Sequence, residues 1–442
     1  MASHGVPRGP RTRTDEQKRL DSEKIQKYHE LEEQIRSSTA FDESVFETTT
    51  RLLRLNPEYY TVWNVRRRCL TSGLLSRRPS GPRSSAAPLT TSQTATATSS
   101  SGGFSDTPLA TSPSNPSSGP TTSSTLLDDK DGKDDTGAQT AEDEKSLEED
   151  RQKDAGILES ELQFTIPLLL EFPKCYWIWS YRLWVLEQAV ARLDVARARQ
   201  IWEDELALDS KMLTKDRRNF HAWGYRRQVV ERLESEALSV DTEAEATAGK
   251  RGTSLVEPEF EYTTKMIHRD LSNFSAWHNR SKLIPRLLAE RNADDAARTA
   301  FFEEELNIIR EALNVGPEDQ SLWFYHQFLM LDLIEYTGRP TMVPHLTLEE
   351  RMAYIAREME DIHDLLTDYD DVKWIYEALF EYTMAVAKML GRPLSEAERV
   401  EAQGWLAQLR KLDPKRNGRW DDLELEYIRG RKPNYEQESI SV

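Results

Sequence analysis

The sequence has few cysteines and no excess of positive charge, and each absence excludes a class of protein. Cys69 and Cys175 are the only cysteines in 442 residues, and they form no Cys-x-x-Cys pair. A disulfide scaffold or a cysteine-built zinc site is therefore not expected, and a reducing compartment is the default. The net charge of −18 argues against a nucleic-acid-binding protein, because such proteins usually carry a basic excess.

Long apolar runs are also missing. No segment approaches the roughly 20 apolar residues of a membrane-spanning helix, and the polar N-terminus lacks the core of a signal peptide. We therefore expect a cytoplasmic protein without a transmembrane segment. A chain of this length has room for two or three average domains or for one long array of repeats.

Composition divides the chain into helical and low-complexity segments. Between about 72 and 150 the sequence is rich in Ser, Thr and Pro and then strongly acidic. Such a composition cannot bury enough apolar surface to offset the entropy of ordering, so a disordered insertion is predicted. The predicted organisation is a flexible arm at 1–13, helices and a first repeat at 14–71, the insertion at 72–150, further helical hairpins at 151–435 with a loop at about 234–254, and a tail at 436–442.

A pattern of aromatic-x-x-Trp-x-x-Arg recurs along the helical segments, as in "RRNFHAWGYRR". The four full copies are Tyr60, Trp63 and Arg66; Tyr176, Trp179 and Arg182; Phe220, Trp223 and Arg226; and Phe274, Trp277 and Arg280. A fifth copy keeps Trp323 but has Gln320 and His326 at the other two positions. The tryptophans from Trp179 onward are 44, 54 and 46 residues apart, which is a helical-hairpin period.

The spacing has a physical interpretation. Asn56 and Pro57 are suited to an N-cap followed by proline at the first helical position. An aromatic ring, a tryptophan and an arginine at three-residue steps then drift along one helix face. We expect the rings to bury against a neighbouring helix and the arginine to tie the turn before the next hairpin. Stacked hairpins of this kind form an all-α superhelix, a crescent-shaped α-solenoid.

These repeats resemble those of the alpha subunits of protein prenyltransferases, whose signature is Pro-x-x-Tyr-x-x-Trp-x-x-Arg. Within that family the chain resembles the type II branch, the alpha subunits of Rab geranylgeranyltransferases. The segments that carry this likeness are "SHGVPR", "FDESVFETTTRLLRLNPEYYTVWNVRR", "RNFHAWGYRR", "DQSLWFYHQFL" and "LDPKRNGRWDDLELEY". Because the immunoglobulin-like domain and leucine-rich repeats of the mammalian subunit are absent, the chain resembles the compact fungal form.

The resemblance implies half of an enzyme that is active only with its beta subunit. In the family the alpha crescent wraps a beta subunit that holds the zinc ion and most of the isoprenoid pocket. The substrate cysteine attacks geranylgeranyl diphosphate as a zinc-bound thiolate, and the implied substrates are Rab GTPases presented by a Rab escort protein. No cofactor or metal is expected on this chain alone, because its histidines show no metal-ligand spacing.

The resemblance also implies the site residues. Lys174 matches a lysine that the family places near the diphosphate, and it is the first candidate for catalysis and substrate binding. His221 matches a histidine that points toward the same group. Phe220 stands where farnesyltransferase-type subunits have tyrosine and is expected to be a wall of the site. His4 matches an N-terminal histidine that caps the beta-subunit zinc, although Ala2 and Ser3 precede it here.

Two alternatives remain open at this point. One is the alpha subunit shared by farnesyltransferase and type I geranylgeranyltransferase, which modifies a single C-terminal CaaX-type cysteine without an escort protein. The other is a non-catalytic helical-repeat scaffold, which would have no prenyltransferase partner. Under the type II interpretation, the escort protein is expected to dock on the outer face of the hairpins around 200–290, and the 72–150 insertion is expected to protrude away from the beta subunit.

Overall fold

The computed structural model describes residues 14–76, 136–239 and 254–428, and side chains within the first turns of the helix that starts at 136 are described from 144 onward. These ranges contain fifteen α-helices and no strand. The helices are α1 Asp15–Ser37, α2 Glu43–Leu55, α3 Tyr60–Cys69, α4 Thr136–Glu171, α5 Tyr176–Arg192, α6 Val195–Lys215, α7 Phe220–Leu233, α8 Val256–Arg269, α9 Phe274–Glu290, α10 Asp295–Val315, α11 Gln320–Ile334, α12 Leu348–Leu365, α13 Lys373–Met389, α14 Glu396–Leu412 and α15 Asn417–Leu423. None of them is both long and apolar enough to span a bilayer.

The helices after α1 pair into seven hairpins, from α2–α3 to α14–α15. The even-numbered helices, which we call the first helices, form one layer. The odd-numbered helices from α3 onward, the second helices, lie beside one another in a second layer. This arrangement confirms the predicted all-α hairpin superhelix.

Each tryptophan of the repeat closes the turn that precedes its helix. The indole Nε1 of Trp223 donates to the carbonyl oxygen of Arg217 at 2.8 Å, six residues earlier, and the tryptophan is almost fully buried. The same six-residue bond recurs in the other four repeats, from Trp63 to Pro57, Trp179 to Pro173, Trp277 to Leu271 and Trp323 to Pro317. A buried indole N–H needs a partner, and the turn carbonyl supplies it.

The predicted N-cap at Asn56 was wrong. Asn56 is the C-cap of α2, Pro57 lies within the turn, and α3 begins only at Tyr60. The Asn56 side chain accepts from the backbone N–H of Glu58 at 3.1 Å, so it shapes the turn rather than the first turn of the helix. In all five repeats the first position of the motif is therefore the first residue of the second helix.

The repeat arginines join consecutive hairpins. Arg182 on α5 is buried and bonds both oxygens of Glu205 on α6, at 2.7 and 2.5 Å, and it also donates to Thr165 on α4. Tyr225 of the next hairpin donates to the same Glu205 at 2.7 Å. The matching pairs are Arg66 with Glu161, Arg226 with Glu259, and Arg280 with Glu305. The expectation that the arginine ties a turn is thus corrected, because each one binds the first helix of the following hairpin.

Two further hairpins, within the predicted hairpin region 151–435, lack the motif and had no motif copy assigned to them. Tyr376 on α13 replaces the tryptophan, and its hydroxyl donates to the carbonyl of Asp370, again six residues earlier, at 2.7 Å. In the last hairpin Trp420 donates to the carbonyl of Asp413 at 3.2 Å. His326 contacts Tyr382 of α13 at 2.9 Å and Glu358 of α12 at 3.4 Å, so it substitutes for the arginine.

The segment predicted as the 72–150 insertion overlaps described structure at both of its ends, because residues 72–76 and the first turns of α4 lie inside it. Helix α4 already begins at Thr136, and residues 77–135 lie outside the described part of the chain, as do the predicted arm and tail and most of the 234–254 loop. Buried Asp154 accepts from both the backbone N–H and the hydroxyl of Ser76, at 2.8 and 2.5 Å, and lies 3.5 Å from Arg192. These contacts, which we call the clamp, join the two sides of the insertion at the C-terminal end of α5. The clamp therefore lies about 25 Å from Tyr176, the first residue of that helix.

Candidate functional site

The turns between the helices of each hairpin lie along one side of the molecule, which we call the turn edge. It consists of residues 56–59, 172–175, 216–219, 270–273 and 316–319 together with the first residues of α3, α5, α7, α9 and α11. Because the second helices of these five hairpins start here, the edge also carries five helix N-termini, which favour negative charge in a ligand.

Side chains of successive hairpins hold this edge together. The carbonyl of Pro173 accepts from the indole of Trp179 and also from the Asn219 amide of the following hairpin, both at 2.9 Å. The carbonyl of Arg217 is shared in the same way by Trp223 and Asn273. These two turns are thus fixed both to their own helices and to the next hairpin, which gives this part of the edge a defined geometry.

The first aromatic residue of each repeat is exposed rather than buried, contrary to expectation. Tyr60, Tyr176 and Phe274 are about half exposed, at 52, 48 and 49%, and Phe220 is 67% exposed. Trp177 lies between Tyr60 and Tyr176, with ring centroids 5.1 and 5.2 Å away. A contiguous row of exposed rings marks a surface suited to binding another protein or an apolar ligand.

The structure brings Lys174 and His221 together in this row. Lys174 lies in the turn before α5, is 73% exposed along its side chain, and has its Nζ 3.8 Å from Asp216. His221 is the second residue of α7 and is half-buried. Burial lowers the pKa of His221, the Lys174 charge lowers it further, and Glu58 acts in the opposite direction. The imidazole is therefore neutral near pH 7, beside an accessible ammonium group.

Two other predicted site residues differ in their placement. The Phe220 ring packs on His221 with a centroid distance of 4.0 Å. The ring is largely exposed, so it forms an open side of the site rather than a closed wall. His4 lies outside the described residues. Within the described ranges no group of three or more His, Cys, Asp or Glu side chains is arranged to hold a metal ion.

Sequence reasoning missed the glutamates that hold the repeats together, although a signal for them exists. Glu161, Glu205, Glu259 and Glu305 each lie 18 residues before the tryptophan of their own hairpin, and Glu358 lies 18 residues before Tyr376. A search for this second period would have found both the ion pairs and the sixth hairpin.

Comparison with known proteins agrees with this architecture. Five segments match the family described as protein prenyltransferase alpha subunit repeat, namely residues 42–73, 158–189, 202–233, 256–287 and 302–333. The first segment begins at the N-cap of α2 and the other four begin in a first helix, and all five end in the second helix or just after it. Together they confirm the five predicted repeats.

Three relatives extend the comparison. The chain is 27% identical to the geranylgeranyl transferase type-2 subunit alpha of Candida albicans, over 95% of this chain and 96% of the relative. It is 31% identical to the subunit of the same name from Saccharomyces cerevisiae, over 59% of this chain and 72% of the relative. The match to the Homo sapiens subunit, 27% identical, covers 71% of this chain but 39% of the human protein.

The chain belongs to the protein prenyltransferase alpha-subunit family. Its likeness within that family is to the type-2 geranylgeranyltransferase subunits, and the nearly end-to-end match with the Candida albicans protein agrees with the predicted resemblance to the compact fungal form. The family assignment implies a beta subunit as partner.

Proposed function

We propose that this chain is the alpha subunit of a heterodimeric type II protein geranylgeranyltransferase. The enzyme transfers a geranylgeranyl group from geranylgeranyl diphosphate to C-terminal cysteines of Rab GTPases presented by a Rab escort protein in the cytoplasm. The observation that carries the proposal is the turn edge, where an accessible lysine and a neutral histidine stand in a row of exposed rings on a scaffold of prenyltransferase repeats.

The chemistry requires positive charge where the leaving group forms. The cysteine sulfur attacks C1 of the diphosphate ester, the C1–O bond breaks, and its electron pair leaves with the diphosphate. The zinc ion of the beta subunit supplies the thiolate character of the sulfur. Lys174 is free to exchange its 3.8 Å contact with Asp216 for the developing phosphate charge, and such electrostatic complementarity is typically a large term in catalysis.

His221 has a different part in this proposal. Because its pKa is lowered by burial and by Lys174, the imidazole adds no charge near pH 7. It can still donate one N–H to a phosphate oxygen, and its contact with the Phe220 ring fixes the orientation of the imidazole. Phe220 offers apolar surface beside the diphosphate. His4, as a cap on the beta-subunit zinc, remains part of the proposal that rests on the family resemblance alone.

The test is co-expression with a type II beta subunit, followed by transfer of labelled geranylgeranyl to a Rab GTPase with and without escort protein. Lys174→Ala is compared with Lys211→Ala, which removes an exposed lysine from the first-helix layer. We expect escort-dependent transfer that falls at least tenfold in kcat/KM for Lys174→Ala, while assembly and the Lys211→Ala variant are unaffected. Equal activity of the two variants would remove Lys174 from the reaction.

The same assay distinguishes the alternatives. Transfer to a free CaaX-type peptide without escort protein would identify the subunit shared by farnesyltransferase and type I geranylgeranyltransferase. Failure to assemble with either class of beta subunit would leave a helical-repeat scaffold. Escort-protein binding to the first-helix layer around 200–290 is tested in the same system, by charge-reversing substitutions of exposed residues there.

A further inference from the structure

At two places in the sequence, an arginine that forms a buried ion pair is followed directly by an arginine that does not. Arg66 and Arg226 are buried and bond both oxygens of a glutamate on the next hairpin. Arg67 and Arg227 follow them directly, each four residues after the repeat tryptophan, yet neither forms an ion pair with a carboxylate in the described part of the chain. Adjacent residues on a helix point about 100° apart, so the second arginine of each pair lies on a different face of its helix from the buried ion pair.

Arg67 is half-buried without compensation for its charge. Its guanidinium lies 5.6 Å from the ring of Trp184 and 5.7 Å from that of Tyr181, and its hydrogen bonds are 3.3 Å contacts with Ser180 and Asn64. The buried Nε has no partner. Burial lowers the pKa of Arg67, which shows that the charged form loses solvation here. A desolvated cation of this kind is costly unless an anion approaches it.

Arg227 belongs to a positive patch on the same layer. Its side chain is exposed and folds over Gly224 of its own helix. On the neighbouring α9, burial lowers the pKa of His278, and the charges of Arg227 and Lys282 lower it further. The chain as a whole carries a net charge of −18, so a concentration of positive charge here is a local exception.

The hydrogen-bond and ring partners of the Arg67 guanidinium lie on the second helices α3 and α5, and Arg227 lies on the second helix α7. We propose that Arg67 and Arg227, the arginine row, bind carboxylates of the beta subunit and thereby fix its register along the second-helix layer. This inference rests on the proposed function, because it takes the prenyltransferase beta subunit as the partner.

The spacing of the arginine row favours a protein surface over a small anion. Arg67 lies on α3 and Arg227 on α7, and α5 lies between these helices. With packed helices 8–10 Å apart, the two guanidinium groups belong to helices roughly 16–20 Å apart. One diphosphate cannot bridge that span, whereas two acidic side chains on a folded partner can. Arg67 and Arg227 also lie on the same two second helices, α3 and α7, that begin at the turn edge with the exposed rings of Tyr60 and Phe220.

The experiment uses the co-expressed complex and measures its dissociation constant at about 0.1 M and about 0.5 M salt. The double variant Arg67→Gln/Arg227→Gln is expected to raise Kd at least tenfold at the lower salt and by less at the higher salt, because carboxylate pairs are screened. The matched control is Arg54→Gln, which removes an exposed arginine that stacks on Phe164 in the first-helix layer. Lysine at both positions of the arginine row keeps the charge and should retain most of the affinity.

The outcomes separate the inference from the proposed function. A double variant that assembles as tightly as Arg54→Gln overturns the inference while the wild-type complex still supports the function. If that variant assembles normally but shows a raised KM for geranylgeranyl diphosphate, the arginine row binds the small anion and the inference is likewise overturned. A wild-type chain that assembles with no beta subunit overturns both.

Discussion

The ion pair between Arg182 and Glu205 offers the sharpest test of how the hairpins are held together. Removing the guanidinium in Arg182→Met leaves a buried carboxylate with one remaining hydrogen bond, from Tyr225. Removing the carboxylate in Glu205→Leu leaves a buried cation. Burial acts to lower the pKa of Arg182, and the charge and hydrogen bonds of Glu205, with a smaller contribution from Tyr225, hold that pKa above its ordinary value. Each single change should lower the free energy of unfolding by about 3–5 kcal/mol.

Changing both residues together should cost less than either change alone, because no uncompensated charge remains in the interface. The coupling energy of the double-mutant cycle, the sum of the two single costs minus the double cost, is therefore expected to exceed about 3 kcal/mol. Equilibrium urea unfolding followed by tryptophan fluorescence measures it, since Trp179 and Trp202 are buried in the helices that the pair joins.

The control is the exposed pair of Arg197 with Glu159, whose side chains are 47 and 39% exposed. Arg197→Met should cost no more than about 1 kcal/mol, as is usual for pairs at the surface. If Arg182→Met costs as little as Arg197→Met, the buried ladder does not join the hairpins energetically, and the reasoning fails.

Three further predictions follow from the fold. Trp223→Phe removes the indole bond to the Arg217 carbonyl and should lower the free energy of unfolding by about 1–2 kcal/mol in the same urea assay; an unchanged value would contradict a role in closing the turn. Burial raises the pKa of Glu381 to about 7 in the native state. Between about pH 4.5 and 7 the native carboxyl keeps a proton that the unfolded chain has released, so the free energy of unfolding falls as pH rises through that window. Glu381→Gln should therefore raise stability at pH 8 by about 1–3 kcal/mol and have little effect near pH 4.5, and equal effects at both pH values would refute the assignment. Deletion of 78–135 should preserve assembly and transfer, and loss of assembly on deletion would show that the insertion takes part in the interface. Asp154→Ala should lower the free energy of unfolding by about 3 kcal/mol, because it removes the carboxylate that binds Ser76 and Arg192.

The sequence was sufficient to predict the helices and the five repeats, because both depend on local patterns. Spacing of apolar residues and of Trp and Arg determines which face of a helix is buried, and the family resemblance directed attention to Lys174 and His221. Contacts between hairpins were beyond that reasoning. Glu161 lies 95 residues from Arg66, across the whole insertion, and only the 18-residue spacing of each glutamate from the tryptophan of its own hairpin points to the pairing.

Exposure of the first aromatic residue in each repeat was also unpredictable from periodicity. A ring at the first position of a helix has the same spacing as one further along, and only the position of the neighbouring turn decides whether it is covered. Tyr60 and Phe220 are exposed, while the turn of the next hairpin is bound to the carbonyls of Pro57 and Arg217 through Cys175 and Asn273.

The two ends of the array show why the ion pairs occur only as a ladder. A glutamate at the ladder position is needed only where a preceding hairpin supplies a cation, and the first hairpin has Val45 there, 18 residues before Trp63. At the other end the arginine position of the sixth hairpin is Leu379, and the ladder position of the seventh is Ala402; both are fully buried. Cation and carboxylate are therefore absent together, as the high cost of a single buried charge requires. The same rule makes Arg67 and Arg227, which have no carboxylate among the described residues, the positions where a partner is expected to supply one.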